Sequence, residues 1–283
     1  MIEFKNTEGI YFIGIGGIGM SALALYFRKG NYAVAGYDRS AGDITRSLSE
    51  AGCSITYDDE VNSIPELFRN NGAKDRVIVV YTPAIPAENK IISFFRDNNF
   101  RMYKRSEILG EISLHTDTLA VSGTHGKTTV STMVAHLLIQ SSVDCSAFLG
   151  GVSKNYNSNL ILGESRYTVM EADEFDRSFH RLSPLMAVVT ALDADHLEIY
   201  GNRENMIVAY NEFCGKIRKG GKLVVNARIR NRINDPEDVK IFTYGMNIEA
   251  DYMATDIRHS KECFIFNLKT PETVITDLYF PDE

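Results

Sequence analysis

The sequence predicts an α/β protein built from two doubly wound domains. The chain has 283 residues, of which 44% are hydrophobic, and at about 150 residues per domain this suffices for two buried cores. Short apolar runs alternate with longer helical patterns, which is typical of βαβ units and of a parallel sheet covered by helices on both faces. A glycine-rich turn also joins a predicted strand to a predicted helix in each half of the chain.

The first half of the chain alternates regularly between predicted strands and predicted helices. The strands are expected at Ile10–Ile15, Ala33–Tyr37, Val77–Tyr81 and Arg101–Tyr103. The helices between them are expected at Met20–Lys29, Ile44–Glu50, Ile64–Asn70 and Lys90–Asn98. This order predicts a Rossmann-like amino-terminal domain over residues 1–107.

A second alternation follows and predicts a central domain of the phosphate-loop type over residues 108–283. Its strands are expected at Thr118–Ser122, Tyr167–Met170, Met186–Thr190 and Lys222–Asn226, and its helices at Lys127–Gln140 and 202–217. Beyond Ile241 the pattern changes to consecutive strands joined by turns, which predicts an antiparallel appendage at Asp251–Ile257, Cys263–Leu268 and Val274–Phe280.

Composition excludes several classes of function. The net charge of −7 argues against a sequence-independent grip on nucleic acid or on an anionic membrane. No apolar run approaches the roughly 20 residues of a membrane span, and the amino terminus lacks the pattern of a signal peptide. The four cysteines form no CxxC pair and are expected to be small core residues. We therefore expect a cytoplasmic protein that holds any phosphate-bearing ligand locally.

The first glycine-rich turn, Gly14–Gly19, fits the GxGxxG pattern between a strand and a helix. Asp38 follows the next predicted strand. Such a turn brings backbone N–H groups to a diphosphate, and the acidic residue can accept a hydrogen bond from a ribose hydroxyl. The turn predicts a site for a dinucleotide or a nucleotide diphosphate, unless its glycines serve only tight packing between strand and helix.

The second glycine-rich turn, Gly123–Thr129, contains the GK[ST] core of a phosphate-binding loop. Backbone N–H groups would surround the phosphates, Lys127 would neutralise the β and γ oxygens, and the Thr128 hydroxyl would bind Mg²⁺. The loop is a variant, because the standard pattern has glycine where Val121 stands. The competing interpretation is an ordinary turn that happens to contain these residues.

Carboxylates and an imidazole follow two further predicted strands. Glu171 ends one apolar run, and the segment Asp193–His196 follows the next. Side chains at strand ends converge on the crevice where α/β sheets bind ligands, and hard oxygen ligands suit Mg²⁺. Glu174 is expected to be a solvated loop residue.

Two phosphate-binding turns in one chain separate three hypotheses. An ATP-dependent enzyme that acts on a nucleotide-linked substrate needs both turns. A nicotinamide-dependent dehydrogenase needs the first turn and Asp38 but has no use for the second. A non-catalytic nucleotide-binding module is the third hypothesis.

Taken together, these motifs resemble the Mur ligase family of peptidoglycan synthesis. The resemblance runs from near the start of the chain to about Gly245 and rests on Gly14–Ser21, Gly123–Thr129, Glu171–Glu174 with Ser178 and Phe179, and Asp193–His196 followed by Tyr200 and Gly201. The GxGGxGMS form of the first turn favours the family member that adds L-alanine.

The resemblance implies an ATP-dependent ligase that joins L-alanine to the carboxylate of UDP-N-acetylmuramate through an acyl phosphate. It implies UDP-sugar contacts at Gly14, Gly16, Gly17, Ile18, Gly19, Met20, Ser21 and Asp38. It implies ATP contacts at Gly123, Thr124, His125, Gly126, Lys127, Thr128 and Thr129. The implied catalytic residues are Lys127, Thr128, Glu171 and His196, and the last three of these would also bind Mg²⁺.

The sequence also departs from the family pattern. Relatives usually have asparagine where Ala191 stands, which removes an expected contact to adenine. A Gly-x-His-Asn segment and the carboxy-terminal domain that binds the amino acid in relatives do not occur in the 283 residues. We therefore expect this chain to be a truncated, inactive fragment of the ligase.

Overall fold

The computed structural model describes residues 2, 4–86, 88–193, 197–260 and 262–281. Its strands are β1 Gly9–Ile13, β2 Ala33–Tyr37, β3 Ser54–Thr56, β4 Val77–Tyr81, β5 Arg101–Lys104, β6 Asp117–Ser122, β7 Ser146–Ser153, β8 Ser158–Ile161, β9 Tyr167–Glu171, β10 Met186–Val189, β11 Lys222–Asn226, β12 Lys240–Met246, β13 Tyr252–Ser260, β14 Cys263–Lys269 and β15 Val274–Pro281. The α-helices are α1 Ile18–Lys29, α2 Asp43–Glu50, α3 Glu66–Arg69, α4 Lys90–Asp97, α5 Arg105–His115, α6 Lys127–Gln140, α7 Leu197–Tyr200 and α8 Arg203–Cys214. Four 3₁₀ segments are also present, at Val61–Ser63, Asn71–Ala73, Phe175–Arg181 and Ala227–Arg232.

The chain divides into two compact units, and both are discontinuous in sequence. The first unit contains Met1–Thr116 and Ser131–Met170. The second unit contains Asp117–Val130 and Glu171–Glu283. Each glycine-rich turn lies within one unit, the first turn in the first unit and the second turn in the second.

A parallel five-stranded sheet with the order β3-β2-β1-β4-β5 forms the centre of the first unit. Neighbouring residues of β1 point to opposite faces of this sheet. On one face Tyr11 packs against Phe95 of α4, and on the other face Phe12 packs against Phe27 of α1. Helices therefore cover both faces, and the predicted doubly wound arrangement is confirmed.

The first unit also contains the strands β7 and β8, which the sequence analysis did not predict. They pair antiparallel with each other, and β7 pairs parallel with β9. Helix α1 packs against both β7 and β8, and the rings of Tyr26 and Phe148 lie 5.3 Å apart. This contact joins residues more than 100 positions apart, so no local pattern could reveal it.

In the second unit the strands run in the order β15-β14-β13-β12-β11-β10-β6. Strands β6 and β10 to β13 pair in parallel, whereas β13, β14 and β15 are successive antiparallel partners. The predicted antiparallel appendage is therefore confirmed.

Most predicted elements are present, and β2, β4, β11 and α6 have the predicted bounds. The predicted helix at Ile64–Asn70 is limited to the single turn α3, since Pro65 is its N-cap residue and Asn70 already has an extended backbone. Helix α5 was not predicted. A run of consecutive buried residues in it, Ile108–Ser113, hides the one-sided pattern of an amphipathic helix.

Three of the four cysteines are the small core residues that the sequence predicts. All four are free; Cys53, Cys145 and Cys214 are buried, and Cys263 is half-buried. Burial raises the pKa of the Cys53 and Cys145 thiols to about 11 and that of Cys214 to about 12.

Among the described helices, none combines the length and the apolar character that a membrane crossing requires.

Replacing Phe95 by alanine should destabilise the first unit strongly. Phe95 is fully buried, and its ring lies 4.9 Å from that of Tyr11 and 5.0 Å from that of Phe100. We expect the free energy of unfolding to fall by about 3–5 kcal/mol, measured by urea denaturation, because the substitution leaves a cavity. The control is Tyr279→Ala, at a ring that is 71% exposed, with an expected change within about 0.5 kcal/mol. Similar losses in both variants would contradict the assignment of this core.

Candidate functional site

The second glycine-rich turn joins β6 to α6 and depends on two glycines with positive φ angles. Gly123 has φ of 131° and Gly126 has φ of 80°. A Cβ atom at Gly123 would overlap the Thr190 Oγ1 atom and approach the Ala191 N atom to 2.9 Å. Only glycine satisfies both the backbone angle and this close approach at position 123.

Residues directly after β10 hold this turn in place. The Thr124 N–H donates to the Ala191 carbonyl at 3.1 Å, and the Thr190 hydroxyl donates to the His125 carbonyl at 2.6 Å. The Asp193 N–H in turn donates to Thr124 Oγ1 at 3.1 Å. These bonds preorganise the turn, so that ligand binding need not order it. Ala191 thus contributes its backbone carbonyl to the turn.

An ion pair lies at the first residue of α6. The Lys127 ammonium donates to Glu174 Oε1 at 2.8 Å and to the Gly123 carbonyl at 3.0 Å. The side chain of Glu174 is 1% exposed and that of Lys127 is 15% exposed. The expectation that Glu174 is a solvated loop residue was wrong, because its carboxylate is buried against the lysine of the turn.

Two tyrosines surround Glu174 and remain neutral phenols. The Tyr200 hydroxyl donates to the Glu174 carbonyl at 2.6 Å. Burial, followed by the negative charge of Glu174, raises the pKa of Tyr200 to about 12 and raises that of Tyr210 further. The Arg177 guanidinium lies 5.5 Å from the centre of the Tyr200 ring. The sequence analysis named Tyr200 only as part of the family pattern, and it assigned no role to Tyr210 or Arg177.

The structure describes two of the three predicted Mg²⁺ ligands, Thr128 and Glu171. Thr128 is half-buried in the first turn of α6, and Glu171 is half-buried at the end of β9. The Ala172 N–H donates to the Val121 carbonyl at 2.8 Å, which keeps Glu171 beside the end of β6. His196 lies outside the described residues. Among the residues that are described, no group of three or more His, Cys, Asp or Glu side chains could hold a metal ion.

The first glycine-rich turn is shaped by Asp38. Its Oδ2 atom accepts the Gly16 N–H at 2.7 Å, and its Oδ1 atom accepts the Ser40 N–H at 3.4 Å. A Cβ atom at Gly16 would lie 2.8 Å from Asp38 Oδ2, and Gly14 has φ of 89°. The carboxylate therefore faces the turn itself, where it competes with an anionic ligand for the Gly16 N–H group.

Residues around the start of α1 divide into packed and accessible positions. The buried Ser21 hydroxyl donates to the Ile18 carbonyl at 2.8 Å, and the Asn159 amide donates to both the Ile18 carbonyl and Ser21 Oγ. Met20 is also buried, whereas Gly17 and Ile18 are exposed. Ser21 thus orients the helix start through its hydroxyl group.

Arg105 brings a positive charge to the same helix start. A Cβ atom at Gly19 would lie 2.8 Å from the Arg105 Nη1 atom, so the guanidinium lies directly against this glycine. Arg105 is the first residue of α5 and directly follows the carboxyl end of β5. Sequence analysis missed it, although a basic residue after a predicted strand is the kind of signal that could identify it.

Comparison with protein families identifies two matching models that together cover most of the chain. Residues 9–116 match the model described as "Mur ligase family, catalytic domain". Residues 121–278 match the model described as "Mur ligase middle domain".

Curated relatives carry one common name. A UDP-N-acetylmuramate–L-alanine ligase of Porphyromonas gingivalis is 49% identical over 252 residues, which are 88% of this chain and 54% of that protein. The enzyme of the same name from Parabacteroides distasonis is 45% identical over 98% of this chain and 60% of its own length. The chain therefore spans little more than half the length of these relatives.

Solved structures share the fold. The UDP-N-acetylmuramate-alanine ligase of Thermotoga maritima aligns with a TM-score of 0.78 and 25% identity over 96% of this chain and 60% of that one. A murein peptide ligase of Psychrobacter arcticus aligns with a TM-score of 0.77 over 94% of this chain and 59% of that one, at 22% identity.

Replacing Gly123 by alanine should cost more stability than the positive φ angle alone explains. The matched control is Gly220→Ala, because Gly220 has φ of 76° and open space around its Cα atom. We expect the control to lose about 1 kcal/mol of unfolding free energy and Gly123→Ala to lose roughly 2 kcal/mol more, since its methyl group also overlaps Thr190. Urea denaturation measures both values, and equal losses would contradict the tight contact at the turn.

Proposed function

Because the chain belongs to the Mur ligase family, we propose that it forms the UDP-sugar-binding and ATP-binding part of an enzyme that joins L-alanine to UDP-N-acetylmuramate. The observation that carries the proposal is the presence of two glycine-rich turns, each between a parallel strand and a helix. Such turns bind phosphate groups through backbone N–H groups and the helix dipole. The curated relatives with this name support the choice of substrates.

In this proposal the two turns have different ligands. Residues 1–107 bind the UDP-sugar, with its diphosphate at the N-terminus of α1 and the Arg105 guanidinium supplying positive charge. Residues 108–283 bind ATP, with its phosphates on the turn Gly123–Gly126 and on Lys127. The second glycine-rich turn, between β6 and α6, supports the ligase over a nicotinamide-dependent dehydrogenase, which has no use for it.

The proposed reaction has two steps. A carboxylate oxygen of the UDP-sugar attacks the γ-phosphorus of ATP, and the bond from that phosphorus to the β,γ-bridging oxygen breaks. ADP leaves with that oxygen, and the carboxylate becomes an acyl phosphate. The amine of L-alanine then attacks the acyl carbon, phosphate leaves with the C–O electron pair, and the nitrogen loses its proton. Lys127 and the N–H groups of the turn stabilise the negative charge on the transferring group.

A divalent cation suits the donors that the second unit offers. Mg²⁺ prefers hard oxygen atoms and is usually held by one or two carboxylates together with substrate phosphates. The Thr128 hydroxyl and the Glu171 carboxylate fit this description, and both stand beside the turn; we propose that His196 joins them. Bound Mg²⁺ would neutralise phosphate charge.

We further propose that the protein works in the cytoplasm, in peptidoglycan synthesis and hence in cell division and cell shape.

Calorimetry with UDP-N-acetylmuramate tests the first site. We expect the 283-residue chain to bind this nucleotide sugar with a measurable heat, because the turn and Arg105 belong to the same compact unit. The fluorescence of NADH should remain unchanged on addition of the protein. A folded chain that binds NADH and gives no heat with the UDP-sugar would refute the assignment.

The variant Lys127→Ala tests the second site. We expect ATP affinity to fall about 10- to 100-fold, which corresponds to the loss of charge-assisted hydrogen bonds of about 1.5–3 kcal/mol. Affinity for the UDP-sugar should change by less than about twofold. The control is Lys219→Ala at an exposed lysine that pairs with Asp238, where no change in ATP affinity is expected. A comparable loss of both ligands in Lys127→Ala would contradict two separate sites.

A further inference from the structure

The ion pair of Lys127 and Glu174 occupies hydrogen-bonding capacity that a phosphate ligand needs. The ammonium group has three protons, and two of them are directed to Glu174 Oε1 and to the Gly123 carbonyl. A lysine in a phosphate-binding loop typically contacts both the β- and the γ-phosphate oxygens. With two protons already used inside the protein, Lys127 cannot contact both phosphates and also keep both existing bonds.

We propose that Glu174 competes with ATP for Lys127, because its carboxylate occupies the position on the ammonium that a terminal phosphate oxygen takes over. This inference rests on the proposed function of the turn Gly123–Gly126 as the ATP site. A ligand that reaches Lys127 must replace the bond to Glu174.

The structure favours movement of the lysine over movement of the carboxylate. The backbone of Glu174 is held by the Tyr200 hydroxyl, and the Arg177 N–H donates to the Glu174 carbonyl at 3.0 Å. Lys127 has a long flexible stem, and its side chain is the more exposed member of the pair. A small shift of that ammonium exchanges the hydrogen bond yet keeps the two charges close, so Glu174 is not left without nearby positive charge.

A ligand that contacts Lys127 must compensate for the loss of the bond between Lys127 and Glu174. ATP supplies several anionic oxygens that can bind the N–H groups of the turn while one of them replaces Glu174 on Lys127. A ligand with a single phosphate offers fewer compensating bonds for the same loss. Weakening the ion pair should therefore tighten the binding of every ligand that contacts Lys127.

The variant Glu174→Gln tests this inference because glutamine keeps the shape and removes the charge. We expect ATP, titrated calorimetrically in the presence of Mg²⁺, to bind about tenfold more tightly than to the unchanged chain, a difference of about 1.4 kcal/mol. Affinity for UDP-N-acetylmuramate should stay within twofold, which also reports that the variant is folded. Glu212→Gln removes the same charge from an exposed position in the same unit and should leave ATP affinity unchanged.

A double-mutant cycle separates the exchange from general electrostatics and from a structural role. In a Lys127→Ala background, Glu174→Gln should improve ATP binding by less than about threefold, because the bond to be exchanged is already gone. Equal gains in both backgrounds, or weaker ATP binding by Glu174→Gln alone, would overturn the inference.

The same measurements distinguish failure of this inference from failure of the proposed function. If neither the unchanged chain nor Glu174→Gln binds ATP, the ATP site itself is refuted. If the unchanged chain binds ATP through Lys127 but Glu174→Gln binds it no better, only the exchange is refuted. Should Glu174→Gln fail to fold, Glu174→Asp lengthens the ion pair with the charge retained; tighter ATP binding there supports the exchange, and unchanged or weaker binding refutes it.

Discussion

The parallel pairing of β6 with β10 is the constraint on which the second glycine-rich turn depends. The register sets Ser122 beside Val189, so the residues that follow both strands leave the sheet side by side. Thr190 can then bond the turn through its hydroxyl, and Ala191 can accept the Thr124 N–H. The same closeness leaves no room for a side chain at Gly123. One strand register therefore determines the shape of the turn and its need for glycine at position 123.

The buried ion pair adds an electrostatic constraint to this geometry. A buried pair of charges contributes little net stability, because the cost of removing both from water offsets their attraction. What the pair adds at the first residue of α6 is position, because the Lys127 ammonium is fixed between Glu174 Oε1 and the Gly123 carbonyl. The neutral phenols of Tyr200 and Tyr210 enclose Glu174, so its negative charge is directed at Lys127. Lysine and carboxylate together tie the first residue of α6 to the segment that follows β9.

In the first glycine-rich turn, side chains of the protein bond the turn itself and the start of the helix that follows it. Asp38 bonds the Gly16 N–H, and Asn159 bonds the start of α1 from a segment far along the chain. These bonds use polar groups that a motif alone would assign to the ligand. The positive charge beside the start of α1 comes instead from Arg105, outside the motif. A glycine pattern thus locates the turn, whereas neighbouring elements determine which charges and polar groups surround it.

The sequence by itself determined the two doubly wound alternations, the antiparallel strands at the carboxyl end and the location of both turns. These features depend on local periodicity and on glycine, and α6 and β11 accordingly have their predicted bounds. Only the tertiary structure decided that β7 and β8 pack on α1, that Asp38 faces inward and that Glu174 is buried. The burial of Glu174 requires Lys127, 47 positions away, to compensate its charge. Whether a carboxylate is solvated or buried depends on such a partner, and sequence distance conceals it.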